Sequence, residues 1–266
     1  ATIRRQRQMC IRDSFYNHKR GDGFRNNSNY KSNNVYVHLK KNLSNKSELS
    51  GEVTYMNYLA KQAGGLSDRM FINNPMQSNR SRNWFELDWL LYNFKFKHRF
   101  NEKTNLSFNL FGLDAERNTV GFRTNRVDQV DPLTERDLIR GNFNNLGLEL
   151  KVLRKYQINE KKGTFVLGGK YYRSKSLSKQ GPGSEGSDAD FNIYLDKFPN
   201  YSNQSNYIYP NKNFAFFGEN VFYINERLSF TPGFRVENIV TKSNGNYKRI
   251  NLDLSLIHIS EPTRHR

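Results

Sequence analysis

Apolar and polar side chains alternate one for one along much of this chain. Val35, Val37 and Leu39 interleave with Tyr36, His38 and Lys40, and Leu146, Leu148, Leu150 and Val152 with Gly147, Glu149 and Lys151. The same period runs through Leu106, Phe108 and Leu110, through Phe165, Leu167 and Tyr171, and through Leu228, Phe230 and Phe234. A period of two puts every second side chain on the same face of a strand. Helical spacing fits these windows less well, and Gly112, Gly147, Gly168, Gly169 and Gly218 would weaken helices there. The pattern predicts an antiparallel all-β fold. Its strands fall near 15–25, 30–43, 47–60, 82–99, 104–118, 141–158, 164–177, 212–224 and 227–241.

The connectors are of two kinds, and they alternate. Short polar turns occur at Leu43–Lys46, Asn101–Lys103, Asn159–Lys162 and Asn225–Arg227, and long loops at about 61–80, 119–139 and 178–211. The arms between them are long for a soluble sheet, whose strands cluster near five or six residues. A tilted strand needs about 9–11 residues to cross a bilayer. Tight turns on one side and long loops on the other are the asymmetry of up-and-down transmembrane β-barrels. A large soluble sandwich or propeller would have shorter strands and less polarised connectors.

Composition sharpens this picture. Hydrophobic residues make up 36% of the 266 residues and mean hydropathy is −0.85, yet 14% of residues are aromatic. Disordered chains are poor in aromatics, so the low hydropathy fits a sheet with one wet face. No run of eighteen apolar residues exists to form a membrane helix. The net charge of +17 predicts anionic partners. The cations are spread over strands and turns without an RNA-binding motif, so nucleic acid is not an expected partner.

Both ends look foreign to the rest. A nucleotide string that encodes Met9–Ser14 has a reverse complement that encodes Leu254–His258 and begins Ile259. This is the signature of adapter sequence flanking a truncated gene. Segments 1–14 and 254–266 are therefore expected to be foreign, with the natural chain spanning about 15–253. Removing their six Arg, one Asp and one Glu leaves an interior charge of +13. The single cysteine, Cys10, falls in the first segment and excludes a disulfide framework.

Residues 213–237 carry a family resemblance. An aromatic strand with Phe217-Gly218-Glu219-Asn220, a short turn, then Leu228, Thr231-Pro232-Gly233 and Arg235, is similar to a barrel hairpin of TonB-dependent outer-membrane receptors. Gly64-Gly65-Leu66-Ser67-Asp68, Gln77–Trp84, Asp131–Leu138 and Gly186–Phe191 resemble the ferric-dicitrate-like, siderophore-transporting branch. The resemblance covers about 15–250. It implies a bacterial outer-membrane barrel of about 22 strands filled by a plug, of which this chain would supply about nine as an open curved sheet. No plug, TonB box or closing strand is recognised in it. The two unpaired edges of such a piece cannot face hydrocarbon, so it is not expected to insert or transport alone.

The resemblance also implies the function: binding and import of a ferric siderophore, such as a ferric citrate-like chelate, energised through TonB by way of the missing plug. It implies no enzymatic step and no cofactor. Holding an anionic chelate calls for guanidinium groups, which donate paired hydrogen bonds to carboxylates. The loop and strand-top candidates are Arg69, Arg80, Arg82, Arg117, Arg123, Arg126 and Arg136, with Gln77, Asn79 and Gln129 as neutral donors. Lipopolysaccharide phosphates, outer-membrane lipid and the acidic residues Asp68, Asp128, Asp131 and Glu135 are competing partners for the same arginines. Trp84, Trp89, Tyr92, Tyr171, Tyr172, Phe216 and Tyr223 are expected in interfacial girdles or on the lipid face.

Other motifs carry less. Gly181–Gly186 matches a dinucleotide glycine pattern but follows a loop and opens no helix. Glu185, Asp188 and Asp190 lack the frame of a calcium loop. His18, His38 and His98 are isolated, so no metal site is expected. The alternatives to a receptor are a barrel enzyme with a catalytic group at its rim, or a passive porin or adhesin.

Overall fold

The computed structural model describes residues 10–124, 126–159 and 161–248. Its strands are β1 (Cys10–Gly21), β2 (Tyr30–Asn42), β3 (Ser47–Lys61), β4 (Trp84–Arg99), β5 (Thr104–Gly121), β6 (Asp137–Ile158), β7 (Lys161–Pro182), β8 (Gln204–Tyr223), β9 (Ser229–Phe230), β10 (Gly233–Thr241) and β11 (Asn244–Lys248). They form one antiparallel sheet in the order β1-β2-β3-β4-β5-β6-β7-β8-β10, with β9 and β11 also on β8. Every strand from β1 to β8 pairs with the next in sequence, the hairpin order that alternating turns and loops require.

The differences from the expected strands have local causes. The ninth arm is broken at Thr231-Pro232, because proline has no N–H to donate to the ladder. β8 starts at Gln204 rather than 212 and runs through Pro210. That proline lies where β10 hands over to β11, so no ladder donor is lost there. The long loop at 62–83 contains a six-residue helix, α1 (Asp68–Asn73), whose start is capped by the Ser67 hydroxyl accepting from the Met70 N–H. Most of segment 1–14 and all of 254–266 lie outside the described residues. Cys10–Ser14 begin β1, but the apolar stripe stops at Tyr16: Ser14 and Arg12 stand opposite Val37 and Leu39.

Exposure separates the two faces. On β2, Val35, Val37 and Leu39 are exposed while Tyr36, His38 and Lys40 are half-buried. The register extends this phase across the sheet, through Leu49, Phe94, Leu110, Leu148 and Phe214. The sheet is thus curved, with an apolar band on its convex side. The concave side below mid-height is polar: Glu48 pairs with Lys40 at 2.8 Å and Lys97 at 3.5 Å, and Glu52 accepts from Asn93 at 2.8 Å.

The upper edge of the band is oblique. Leu90 on β4 shares a row with Pro210 on β8, yet the last apolar residue of the band on β8 is Phe214, four residues nearer the turns. A level boundary crossing tilted strands produces this slip. On β6 the band spans Leu146–Val152, seven residues.

Glycines in the strands seat aromatic rings. Gly51, Gly112, Gly147, Gly163, Gly168 and Gly218 stand directly opposite Phe94, Tyr92, Phe111, Tyr156, Phe217 and Phe234. A Cβ on Gly147 would lie 2.3 Å from the Phe111 ring, and one on Gly112 2.3 Å from Tyr92. The residues that would weaken helices here allow rings to lie flat on a neighbouring strand.

The buried core sits at the loop end. Val120 and Leu138 are fully covered, and Phe191 of the loop at 183–203 packs on them with Leu59, Trp84 and Ile193. Trp84 is therefore part of a loop seal rather than a girdle, its Nε1 donating to the Ser187 carbonyl. Trp89 and Tyr172 share the concave phase, whereas Tyr92, Tyr171 and Phe216 carry the convex one expected for lipid contact.

Candidate functional site

The connectors at 22–29, 62–83, 122–136 and 183–203 emerge at one end of the sheet. They are tied together mainly by arginines. Arg82 grips both oxygens of Asp131, at 2.9 and 2.5 Å, and donates to the carbonyls of Thr134 and Glu185. Arg136, with no exposed surface, reaches the carbonyls of Ser184, Arg82 and Asp188 and the Ser184 hydroxyl. Arg80 donates to the carbonyls of Asn79 and Gln129 and stacks 5.0 Å over Phe122. Arg25, which the sequence did not single out, does the same for the carbonyls of Gln77, Gly64 and Ala63. Burial opposes ionisation of Asp131, but the Arg82 guanidinium and the Leu133 N–H outweigh it and hold the carboxyl below its usual range. Burial lowers the Arg136 value, which Asp188 counteracts.

Over the concave side these loops enclose a cleft of about 670 Å³, lined by Gln62, Asn83, Phe122, Arg123, Gln180 and Tyr201 among others. Asp137, at the start of β6, organises its wall. It accepts from Arg123 Nη1 at 3.0 Å, from Gln180 Nε2 at 2.9 Å and from the Tyr201 hydroxyl at 2.8 Å. Burial and the neighbouring Asp137 charge push the Tyr201 hydroxyl far up, so it remains a hydrogen-bond donor at any physiological pH. Among the cations of the lining, Arg80 is buried and committed to carbonyls, while the Arg123 side chain is 46% exposed. The remaining polar lining is largely amide and hydroxyl.

The ten sequence candidates thus separate. Arg80, Arg82 and Arg136 are loop fasteners, and Gln77 donates to the Met70 carbonyl within α1. Arg80 and Arg123 line the cleft. Arg117 is exposed on the concave face of β5, its guanidinium 5.8 Å from the Phe143 ring. Arg69 and Arg126 are exposed on the loops, Arg126 with only a loose 3.8 Å approach to Asp128. Asn79 and Gln129 are used internally, by the Val127 carbonyl and the Thr124 hydroxyl. Sequence reasoning missed Asp137, Gln180 and Tyr201. Their partners lie 14, 43 and 64 residues apart, so no local pattern marks them.

No protein-family model matches this chain, and no curated protein sequence does. Its fold does have close counterparts. The ferric citrate transporter FecA in its unliganded form superposes with a TM-score of 0.74 at 15% identity, over 90% of this chain and 34% of that one. The chain has the fold of part of a β-barrel wall. The ferripyoverdine receptor of the outer membrane of Pseudomonas aeruginosa gives 0.67 at 12% identity, over 91% of this chain and 35% of that one. BauA, the ferric preacinetobactin receptor of Acinetobacter baumannii, gives 0.66 at 10%, over 90% and 39%. The chain spans roughly a third of the length of these structures.

Proposed function

We propose that the chain is part of a bacterial outer-membrane, TonB-dependent receptor that binds a ferric chelate at its loop end and passes it through the barrel. One observation carries the reading: an apolar convex band with an oblique edge, backed by a polar concave face, with all long loops at one end. That is the design of a membrane wall with an aqueous interior. The proteins of like fold, a ferric citrate transporter and siderophore receptors, support iron chelates as cargo.

The chelate would meet Arg123 at the cleft, with Arg117 lower on the same wall, and exposed Arg69 and Arg126 steering from the loops. Gln180 and Asn83 would add neutral contacts. The ligand would be a ferric citrate-like anion, the energy would come through TonB, and lipopolysaccharide would surround the outer end. The test is ferric citrate binding by the full gene product carrying these strands. Arg117→Ala with Arg123→Gln, which keeps a hydrogen-bond donor for Asp137, is expected to weaken binding at least tenfold in protein that still folds. Unchanged affinity would remove these two arginines from the site.

A further inference from the structure

Just above the apolar band, the convex face is ordered by charge across five neighbouring strands. The first residue beyond the band is Asp88 on β4, Asp114 on β5, Asn144 on β6, Arg173 on β7 and Lys212 on β8. The positions two residues nearer the turns are Leu90, Gly112, Leu146, Tyr171 and Phe214, which mark the upper edge of the band. One step higher on the same face come Glu86, Glu116, Asn142 and Lys175 on β4 to β7. Both rows run from acid through amide to base, with the change of sign at β6.

This order leaves the charges unanswered within the chain. Asp114 and Arg173 are two strands apart, about 10 Å across the sheet, with Asn144 between them. Asp114, Arg173, Lys175 and Lys212 are exposed. Among the described residues none of these four, nor Asp88, has an opposite charge within salt-bridge distance. Arg173 stands directly opposite Lys212 in the register, and Asp88 directly opposite Glu116. Like charges so placed repel. Glu116 alone has a cation nearby, Arg140 at 3.4 Å. A small anion would relieve only the basic half and would be repelled by the acidic half.

A second copy answers both halves at once. A half-turn about the membrane normal, with its axis at Asn144, exchanges the two sides of each row. Asp114 of one copy then faces Arg173 of the other, Asp88 faces Lys212, and Glu116 faces Lys175, each pairing occurring twice. A two-fold contact needs a patch that is its own complement, and a row of charges antisymmetric about its centre is such a patch. We propose that the convex face at this height, centred on β6, is a docking surface for a second copy of the same wall, giving a two-fold dimer in the membrane. This rests on the membrane reading above. One exposed ion pair contributes little, so the symmetric set acts together, and complementary charge fixes the register of the contact. Barrel strands are tilted, so β6 meets the axis only at this height, and its band residues lower down lie to one side of it, in lipid.

The test uses the full gene product refolded into phosphatidylcholine vesicles, with donor-labelled and acceptor-labelled copies mixed so that energy transfer reports self-association. D88K/D114K makes the first row all basic, and R173E/K212E makes it all acidic. Folding of each is checked by the shift in electrophoretic mobility on heating. Each variant alone is expected to associate at least tenfold more weakly than wild type. An equimolar mixture of the two, and the combined variant D88K/D114K/R173E/K212E, are expected to recover to within threefold, because both restore opposite charges across the axis. Association is expected to stop at two copies. Unchanged association in either variant, no recovery in the mixture, or growth beyond dimers would overturn the two-fold surface. So would a wild type that stays monomeric in phosphatidylcholine and pairs only when diphosphoryl lipid A is added, which would give the cations to lipid. Failure of the wild type to insert into vesicles would instead overturn the membrane reading.

Discussion

Arg136 makes more contacts than any residue of a solvated loop needs. Its guanidinium, fully covered, satisfies carbonyls of three residues on two different loops. Truncation would leave those carbonyls unpaired in a dry place, at a cost of about 1–3 kcal/mol for an unsatisfied buried polar group. Arg136→Leu is accordingly expected to open the loops at 122–136 and 183–203 to hydrogen exchange by about that free energy, leaving exchange in β2–β3 unchanged. Asp131 gives the same fastening a pH dependence. Its folded value lies below the ordinary 3.8, so its contribution is present in full above that pH and is lost as pH falls through the folded value. Limited proteolysis of the loops should therefore accelerate only below about pH 4. Acceleration between pH 5 and 7 would mean another group controls them.

At the scale of strands and turns, much of the fold is legible in the sequence, and the reason is physical. A strand with one face in lipid writes its register into the chain as alternation, so β2, β5, β6 and β7 can be read directly from Val35, Leu106, Leu146 and Phe165 onward. The loops obey no such rule. Arg82 and Arg136 look like ligand arginines in sequence because a guanidinium that binds a chelate and one that binds carbonyls are the same residue type. Only burial tells them apart. The short helix α1 was missed because six residues give no helical stripe. Strand glycines are read in sequence only as helix breakers, whereas the register reveals their use as ring seats. Gly147→Val should drive a side chain into the Phe111 ring and destabilise the barrel by about 1–3 kcal/mol. The check is a lower temperature for the heat-induced electrophoretic shift, with Gly169→Val, whose Cβ would meet nothing nearer than 3.8 Å, much milder.

For the whole molecule, the two faces and two ends divide the work. The convex band meets lipid, the lower concave wall pairs its charges internally, and the loop end combines a fastened rim with a cleft whose exposed cation is Arg123. The central claim is the phase of that division. It is tested most directly by placing a nitroxide at each position from 146 to 153 of β6 in the full gene product in lipid, and measuring collisions with oxygen and with a water-soluble nickel chelate. The account predicts a strict two-residue alternation: oxygen accessibility at 146, 148, 150 and 152, and nickel accessibility or burial at 147, 149, 151 and 153. An inverted phase, or no alternation, would contradict it.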